Sequence, residues 1–235
     1  MNMAQIITVE GSDRTGKTTQ AKLLADYLRS RGFSVLQLSF PTKNNTFGLE
    51  LRKWLQGKAQ YTPMAVNLLF EADRYQELPS LYAAEELVDY IVIDRFWRTG
   101  ISYACYRGSP LTWSLQVSDP YVRDFHKREV LVNIRRQLDP HVIAGASEGE
   151  LYDEAYDLEE VFCKVIDALN VIAPPKAFLK IDAQGRDSAG ETVMRDIQNV
   201  HYDIVDELIA VGVIPDPEHG EGRHDAVRQS EANQF

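Results

Sequence analysis

The run Ile6-Ile7-Thr8-Val9-Glu10, then Gly11-Ser12-Asp13-Arg14-Thr15-Gly16-Lys17-Thr18, then Thr19-Gln20-Ala21-Lys22-Leu23-Leu24 passes from a short apolar strand, through a glycine-bounded turn, into a helix. Its centre fits G-x-x-x-x-G-K-[ST] in the context that gives the pattern physical meaning, strand before and helix after. Glycines let backbone N–H groups turn inward around phosphate oxygens, and the helix N-terminus adds its positive end. Gly11, Ser12, Asp13, Arg14, Thr15, Gly16, Lys17, Thr18 and Thr19 are therefore the expected triphosphate-binding set. Lys17 is expected to reach the β- and γ-phosphates, with the Thr18 hydroxyl on Mg²⁺. A glycine-rich turn without a ligand is the rival, and the flanking elements weigh against it. Arg14 is unusual inside such a loop, where small residues are sterically safest, and would place a cation on a phosphoryl group in transfer. A plain surface ion pair between Asp13 and Arg14 is the bland alternative.

Outward from this loop the pattern repeats. Apolar or alternating runs at 34–39, 90–93, 130–134 and 177–181 read as further strands. Helical spacing covers 18–31, 49–56, 63–87 with an interruption expected near Pro79, and 191–211. Strands alternating with helices predict an α/β fold, a doubly wound, parallel five-stranded sheet with helices on both faces, with ligands at the C-terminal strand ends. Residues 1–213 read as one domain. Residues 214–235 are polar, with glycine and proline, and read as a mobile tail.

Composition excludes several classes. The chain has 235 residues and a formal net charge of −10. That charge argues against broad nucleic-acid binding, which needs a basic stripe. Two cysteines without metal-ligand spacing fit a reducing, cytoplasmic compartment. No apolar run approaches the length of about 20 residues that spans a bilayer, so no membrane partner is expected.

Further motifs follow in order: Phe40-Pro41-Thr42-Lys43, then Leu68-Leu69-Phe70-Glu71-Ala72-Asp73-Arg74, then Asp94-Arg95-Phe96, then Thr99-Gly100-Ile101-Ser102-Tyr103. With the phosphate loop, their order and spacing resemble the thymidylate kinase family, over about residues 5 to 210 and most strongly up to about residue 105. The in-loop arginine resembles the family's eukaryotic-type branch. The resemblance implies MgATP as donor and dTMP as acceptor, a lid, and a homodimer built through helices on one side of the sheet.

It also implies residue roles. Asp13 would hold the sugar 3′-hydroxyl, and Arg14 would bridge the donor and acceptor phosphates. Phe70 would stack on the base, Arg74 would contact a base carbonyl, and Leu55 would pack beside them. Arg95 would grip the acceptor phosphate, with Lys43 in the place of the family's arginine, and Phe40 and Pro41 would belong to the substrate-binding set. Asp94 would organise Mg²⁺ with Thr18. Thr99 and Gly100 would line the sugar-phosphate pocket, and Tyr103 would fill the space of a ribose 2′-hydroxyl. Tyr152 would be the lid tyrosine near the sugar, and Gln184 would lie by the adenine. On this reading Arg14, Lys17, Asp94 and Arg95 are the catalytic group.

The residues themselves leave alternatives. Phe70 in a helix is otherwise ordinary core, and Arg74 otherwise pairs with Glu71 or Glu77 at helical spacing. Three departures from the family bear on substrate choice: Lys43 for arginine, Ala104 where a polar residue is common, and Phe96 for tyrosine or histidine. The candidate lid also lacks Lys and Arg between Arg136 and Lys164. A kinase for another deoxynucleoside monophosphate, such as dUMP, is the nearest rival. A non-catalytic nucleotide switch is more distant.

Overall fold

The computed structural model describes residues 3–136, 150–190 and 192–217, and for 150–159 the backbone alone. Residues 137–149 of the expected lid and the tail beyond residue 217 lie outside what is described, and of the lid's Tyr152 only the backbone is described, so neither expectation is placed.

Strand β1 (Gln5–Glu10) is the centre of the sheet because its residues from Ile6 to Glu10 are all buried. It is flanked by β3 (Tyr90–Asp94) and β4 (Glu129–Arg135), with β2 (Val35–Ser39) and β5 (Ala177–Asp182) outside them. The order is β2-β3-β1-β4-β5, and every pairing is parallel. A central parallel strand covered on both faces must be apolar at successive positions, which is why these runs lack the clean alternation of a half-exposed sheet.

Two cores result. Ile7, Val9, Val92, Val130 and Val132 face one way, against Leu24 and Leu28 of α1 (Lys17–Ser30) and Ile204 and Leu208 of α8 (Ile197–Ala210). Ile6, Ile91 and Ile93 face the other way. They meet Leu81 of α3 (Pro63–Ala84), Trp97 and Ile101 of α4 (Trp97–Tyr106), and Leu169 of α7 (Glu150–Ile172). The short helices α5 (Leu111–Val117) and α6 (Asp119–Phe125) close this second side, where Tyr121 and Phe125 are fully buried. No helix among the described residues is long and apolar enough to cross a membrane.

Two expectations are corrected. α3 runs unbroken through Pro79. A proline removes one helical hydrogen bond, and the burial of Leu78 and Leu81 on either side holds both halves to one axis. The stretch 191–211 is not one helix. Thr192–Met194 forms β7, which pairs antiparallel with β6 (Gln184–Arg186), and α8 begins only after Asp196. The Asp196 carboxylate accepts from the Gln198 and Asn199 N–H groups, at 2.8 and 3.3 Å, and this cap sets the start of α8.

Candidate active site

The phosphate loop leaves β1 at Gly11, whose φ of 149° suits glycine. A Cβ at this position would collide with the Ile134 carbonyl of β4. Gly16, at φ 85°, turns the chain into α1. The Lys17 ammonium is buried within the loop, donating to the Ser12 carbonyl and to Thr15 Oγ1 at 3.2 Å. Burial pushes it down to about 7; Arg95 adds to this, and Asp13, Asp94 and Glu10 oppose it. Thr18 Oγ1 donates to Asp94 Oδ2 at 2.6 Å, so the two expected Mg²⁺-side residues meet. Asp94 Oδ1 is buried without a hydrogen-bond partner among the described residues. Arg14 and Thr19 are exposed at the loop surface.

Beside the loop lies a cleft of about 200 Å³. It is lined by Asp13 of the loop, Phe40 and Pro41 after β2, and Trp54 and Leu55 of α2 (Thr46–Leu55). Phe70 and Arg74 of α3 contribute to it, as do Arg95, Phe96, Thr99, Gly100, Tyr103 and Arg107 at and beyond the end of β3. The sequence spreads these positions over 95 residues, and five chain segments converge to bring them together.

Each wall is held by identifiable contacts. Asp73 of α3 accepts from Thr42 N and Thr42 Oγ1, at 2.9 and 2.5 Å, fixing the Phe40-Pro41 segment. Asn45 caps α2 by accepting from Gly48 N at 2.8 Å and ties it to α3 through Glu77. Gly100 lets the Arg74 guanidinium pack against α4, where any side chain would collide with it. Arg74 Nη2 also pairs with Glu71 Oε1 at 2.5 Å, so the helical ion pair and the place in the cleft coexist.

At the loop end, Arg95 pairs with Asp13. The surface pair Asp13–Arg14 is therefore not the arrangement found. Burial alone would raise the Asp13 carboxyl; Arg95, the Tyr103 hydroxyl and Lys17 outweigh it and hold Asp13 below its ordinary value. Arg95 adopts φ 61°, a left-handed conformation rare for a non-glycine residue, and its N–H donates to the Val9 carbonyl.

Several expected residues stand elsewhere. Lys43 is exposed and does not line the cleft. Gln184, expected by the adenine rather than in this cleft, is buried in the β6–β7 hairpin, and its Oε1 has no hydrogen-bond partner among the described residues. Ala104 is buried and also outside the lining.

Three features escaped the sequence reading. Trp54 and Arg107 line the cleft. Arg107 lies four residues after Tyr103, on the same helical face, and that spacing was the available signal. Glu10, fully buried, accepts from the N–H groups of Phe96 and Thr99 at 3.0 and 3.2 Å, and from the Thr99 hydroxyl. It caps α4 from another element. Burial pushes its carboxyl above the ordinary range despite these donors.

Comparison with known proteins agrees with this geometry. A sequence-family profile described as thymidylate kinase matches residues 9–197. The thymidylate kinase of Schizosaccharomyces pombe is 24% identical over 216 residues, covering 90% of this chain and 95% of that protein. That of Plasmodium falciparum is 26% identical over 214 residues, covering 90% and 93%. The solved thymidylate kinase of Candida albicans superposes with a TM-score of 0.65 at 19% identity, covering 91% of this chain and 96% of that one, a likeness of fold.

Proposed function

The chain belongs to the thymidylate kinase family, and from that premise we propose how its cleft performs the family's reaction. The protein is a nucleoside monophosphate kinase that phosphorylates dTMP to dTDP with ATP as phosphoryl donor. The observation that supports the assignment of individual residues is the continuity of the cleft. It begins at the phosphate loop with the Asp13–Arg95 pair and ends among the Trp54, Phe70 and Tyr103 rings.

The acceptor nucleotide enters with its base among the rings and its phosphate toward Arg95. Phe70 supplies a stacking face, which suits any base. Asp13 and Arg95 exchange their mutual ion pair for the sugar 3′-hydroxyl and the acceptor phosphate. A pre-formed pair of opposite charges keeps both side chains in place until the substrate takes them over. Tyr103 occupies the volume beside the sugar and favours deoxy substrates. On the donor side, bound phosphates hold Lys17 in its charged form, offsetting the burial that now depresses it. Arg14, exposed at the loop surface and without a partner among the described residues, neutralises charge on the phosphoryl group in flight.

Thr18 and Asp94 are the residues that would hold Mg²⁺, and the orphaned, buried Asp94 Oδ1 fits a cation or its waters. When bound, Mg²⁺ would neutralise triphosphate charge. The acceptor phosphate is already an anionic nucleophile, so the chain's work is alignment and charge neutralisation. A homodimer in the cytoplasm, without nucleic-acid or membrane partners, completes the proposal. Exposed Met64 and Leu68, one turn apart on α3, support the dimer.

The test is steady-state kcat/KM with dTMP, dUMP, dCMP, dGMP and dAMP. dTMP is expected to lead. A tenfold preference for any other acceptor defeats the dTMP assignment, and no ADP formation with any of them would leave only nucleotide binding.

A further inference from the structure

We propose that Arg52 is a positioning residue of the acceptor site, locking the C-terminal end of α2 to the 40–42 segment so that Trp54 and Leu55 form one wall of the cleft. This rests on the reading of the cleft as the acceptor site.

α2 has little apolar anchorage. Of its ten residues only Gly48 and Leu51 are buried, while Leu49 and Leu55 are 48% and 57% exposed. A surface helix is held down mainly by its buried apolar face, so one with so small a face is placed by its polar ties. At the N-terminal end these are the Asn45–Glu77 hydrogen bond and the close seat of Gly48, where a Cβ would come within 2.4 Å of Thr42 O and Oγ1. At the C-terminal end the tie is Arg52. Its Nε donates to the Thr42 carbonyl at 3.3 Å and its Nη2 to the Pro41 carbonyl at 3.1 Å. No carboxylate pairs with Arg52 among the described residues; its partners are main-chain carbonyls of the segment whose Phe40 and Pro41 line the cleft. Tyr61 donates to Glu50, which joins the α2–α3 connection back to α2 and does not reach the 40–42 segment.

A guanidinium is a permanently charged planar fork, and two of its donors on neighbouring carbonyls fix an angle as well as a distance. Asp73 of α3 takes the N–H and the hydroxyl of Thr42, and Arg52 of α2 takes its carbonyl. The segment is thereby clamped between the two helices that bear Trp54 and Phe70. Neither Arg52 nor Thr42 lines the cleft. Their effect passes through Pro41 and through the last turn of α2, where the Trp54 ring meets Phe70 edge-on, at 6.2 Å and 89°. Releasing Arg52 leaves the phosphate loop intact and frees the Trp54 end of α2 from Phe70. Acceptor capture then weakens, while transfer to a captured acceptor and the binding of ATP do not change.

The experiment compares steady-state kinetics, dTMP-induced tryptophan fluorescence and thermal melts for the wild type, R52M, R52K and W54F. R52M should raise the KM for dTMP about tenfold, with kcat and the KM for ATP changed by no more than about threefold. R52K, with charge but no fork, should recover part of the loss. dTMP should alter the emission of the wild type, and W54F should lose most of that response. R52M should give a smaller response even at saturating dTMP, because Trp54 no longer sits against Phe70. If R52M does not fold, R52Q replaces it, with the same expected rise in KM. An unchanged KM for dTMP, an equal rise in both KM values, or a kcat that falls more than the KM rises overturns the proposal. So does a full fluorescence response in R52M or in W54F. A wild type that phosphorylates no monophosphate overturns instead the underlying reading of the cleft.

Discussion

Arg14 occupies φ 63°, a conformation glycine adopts at lower cost, and its guanidinium has no partner among the described residues. Strain of this kind, about 1 kcal/mol or more, persists where the side chain has work to do. Replacing Arg14 with Ala keeps the loop's main-chain donors and removes only the in-loop cation. The expected result is a fall in kcat of about 10³-fold, with the KM for ATP changed far less. Near-wild-type turnover would remove Arg14 from the phosphoryl-transfer step. Arg14 was legible from sequence because it interrupts a motif of small residues. Arg107 carried only its spacing from Tyr103 as a signal, because nothing local distinguishes an arginine at a helix end with a carboxylate partner from one without.

Among the elements, α4 shows how a wall of the cleft is positioned from outside itself. Its first turn has no side-chain cap of its own, and Phe96 at the cap position has none to offer. Glu10, the last residue of β1, supplies the acceptor instead. One carboxylate thereby links the strand entering the phosphate loop to the helix bearing Thr99, Gly100 and Tyr103. Glu10→Gln would set an amide NH₂ against one of those N–H groups. It should destabilise the protein by about 1–3 kcal/mol in denaturant melts and raise the KM for dTMP severalfold, more than that for ATP. Unchanged stability and KM would show that α4 holds its place without this link. The sequence showed a charged residue closing an apolar strand, but its partner lies more than 80 residues away.

At the scale of the whole molecule, the fold moves the titration of Glu129 and of Lys17 to near neutrality. Burial, with Glu10 adding to it, pushes Glu129 up to about 7 although Arg98 opposes the shift. Between about pH 4.5 and 7 the folded state therefore holds more protons than the unfolded one, and this contribution to stability is lost as pH rises. Lys17 is depressed to about 7, so between 7 and 10.5 the unfolded state holds more protons and stability rises with pH. Together these groups place a minimum of melting temperature near pH 7. Glu129→Gln should make the acid limb shallower, and saturating MgATP should flatten the alkaline limb by keeping Lys17 charged. Differential scanning fluorimetry across pH 4.5 to 10 checks both, and an unaltered acid slope in the variant would refute the role of Glu129.

The chain's order of apolar runs, helical spacings and glycine-bounded turn settled the sheet, its parallel sense and the phosphate loop, because those features follow from neighbours within a few residues. Local pattern misplaced the start of α8 and overstated the effect of Pro79, since β6–β7 pairing and core packing outweighed propensity. The converging cleft, the Asp13–Arg95 pair, the capping of α4 by Glu10 and the place of Arg107 beside Trp54 and Phe70 were decided only by the tertiary structure. Each depends on which side chains meet across long sequence separations, and therefore on how charges are desolvated and matched in space.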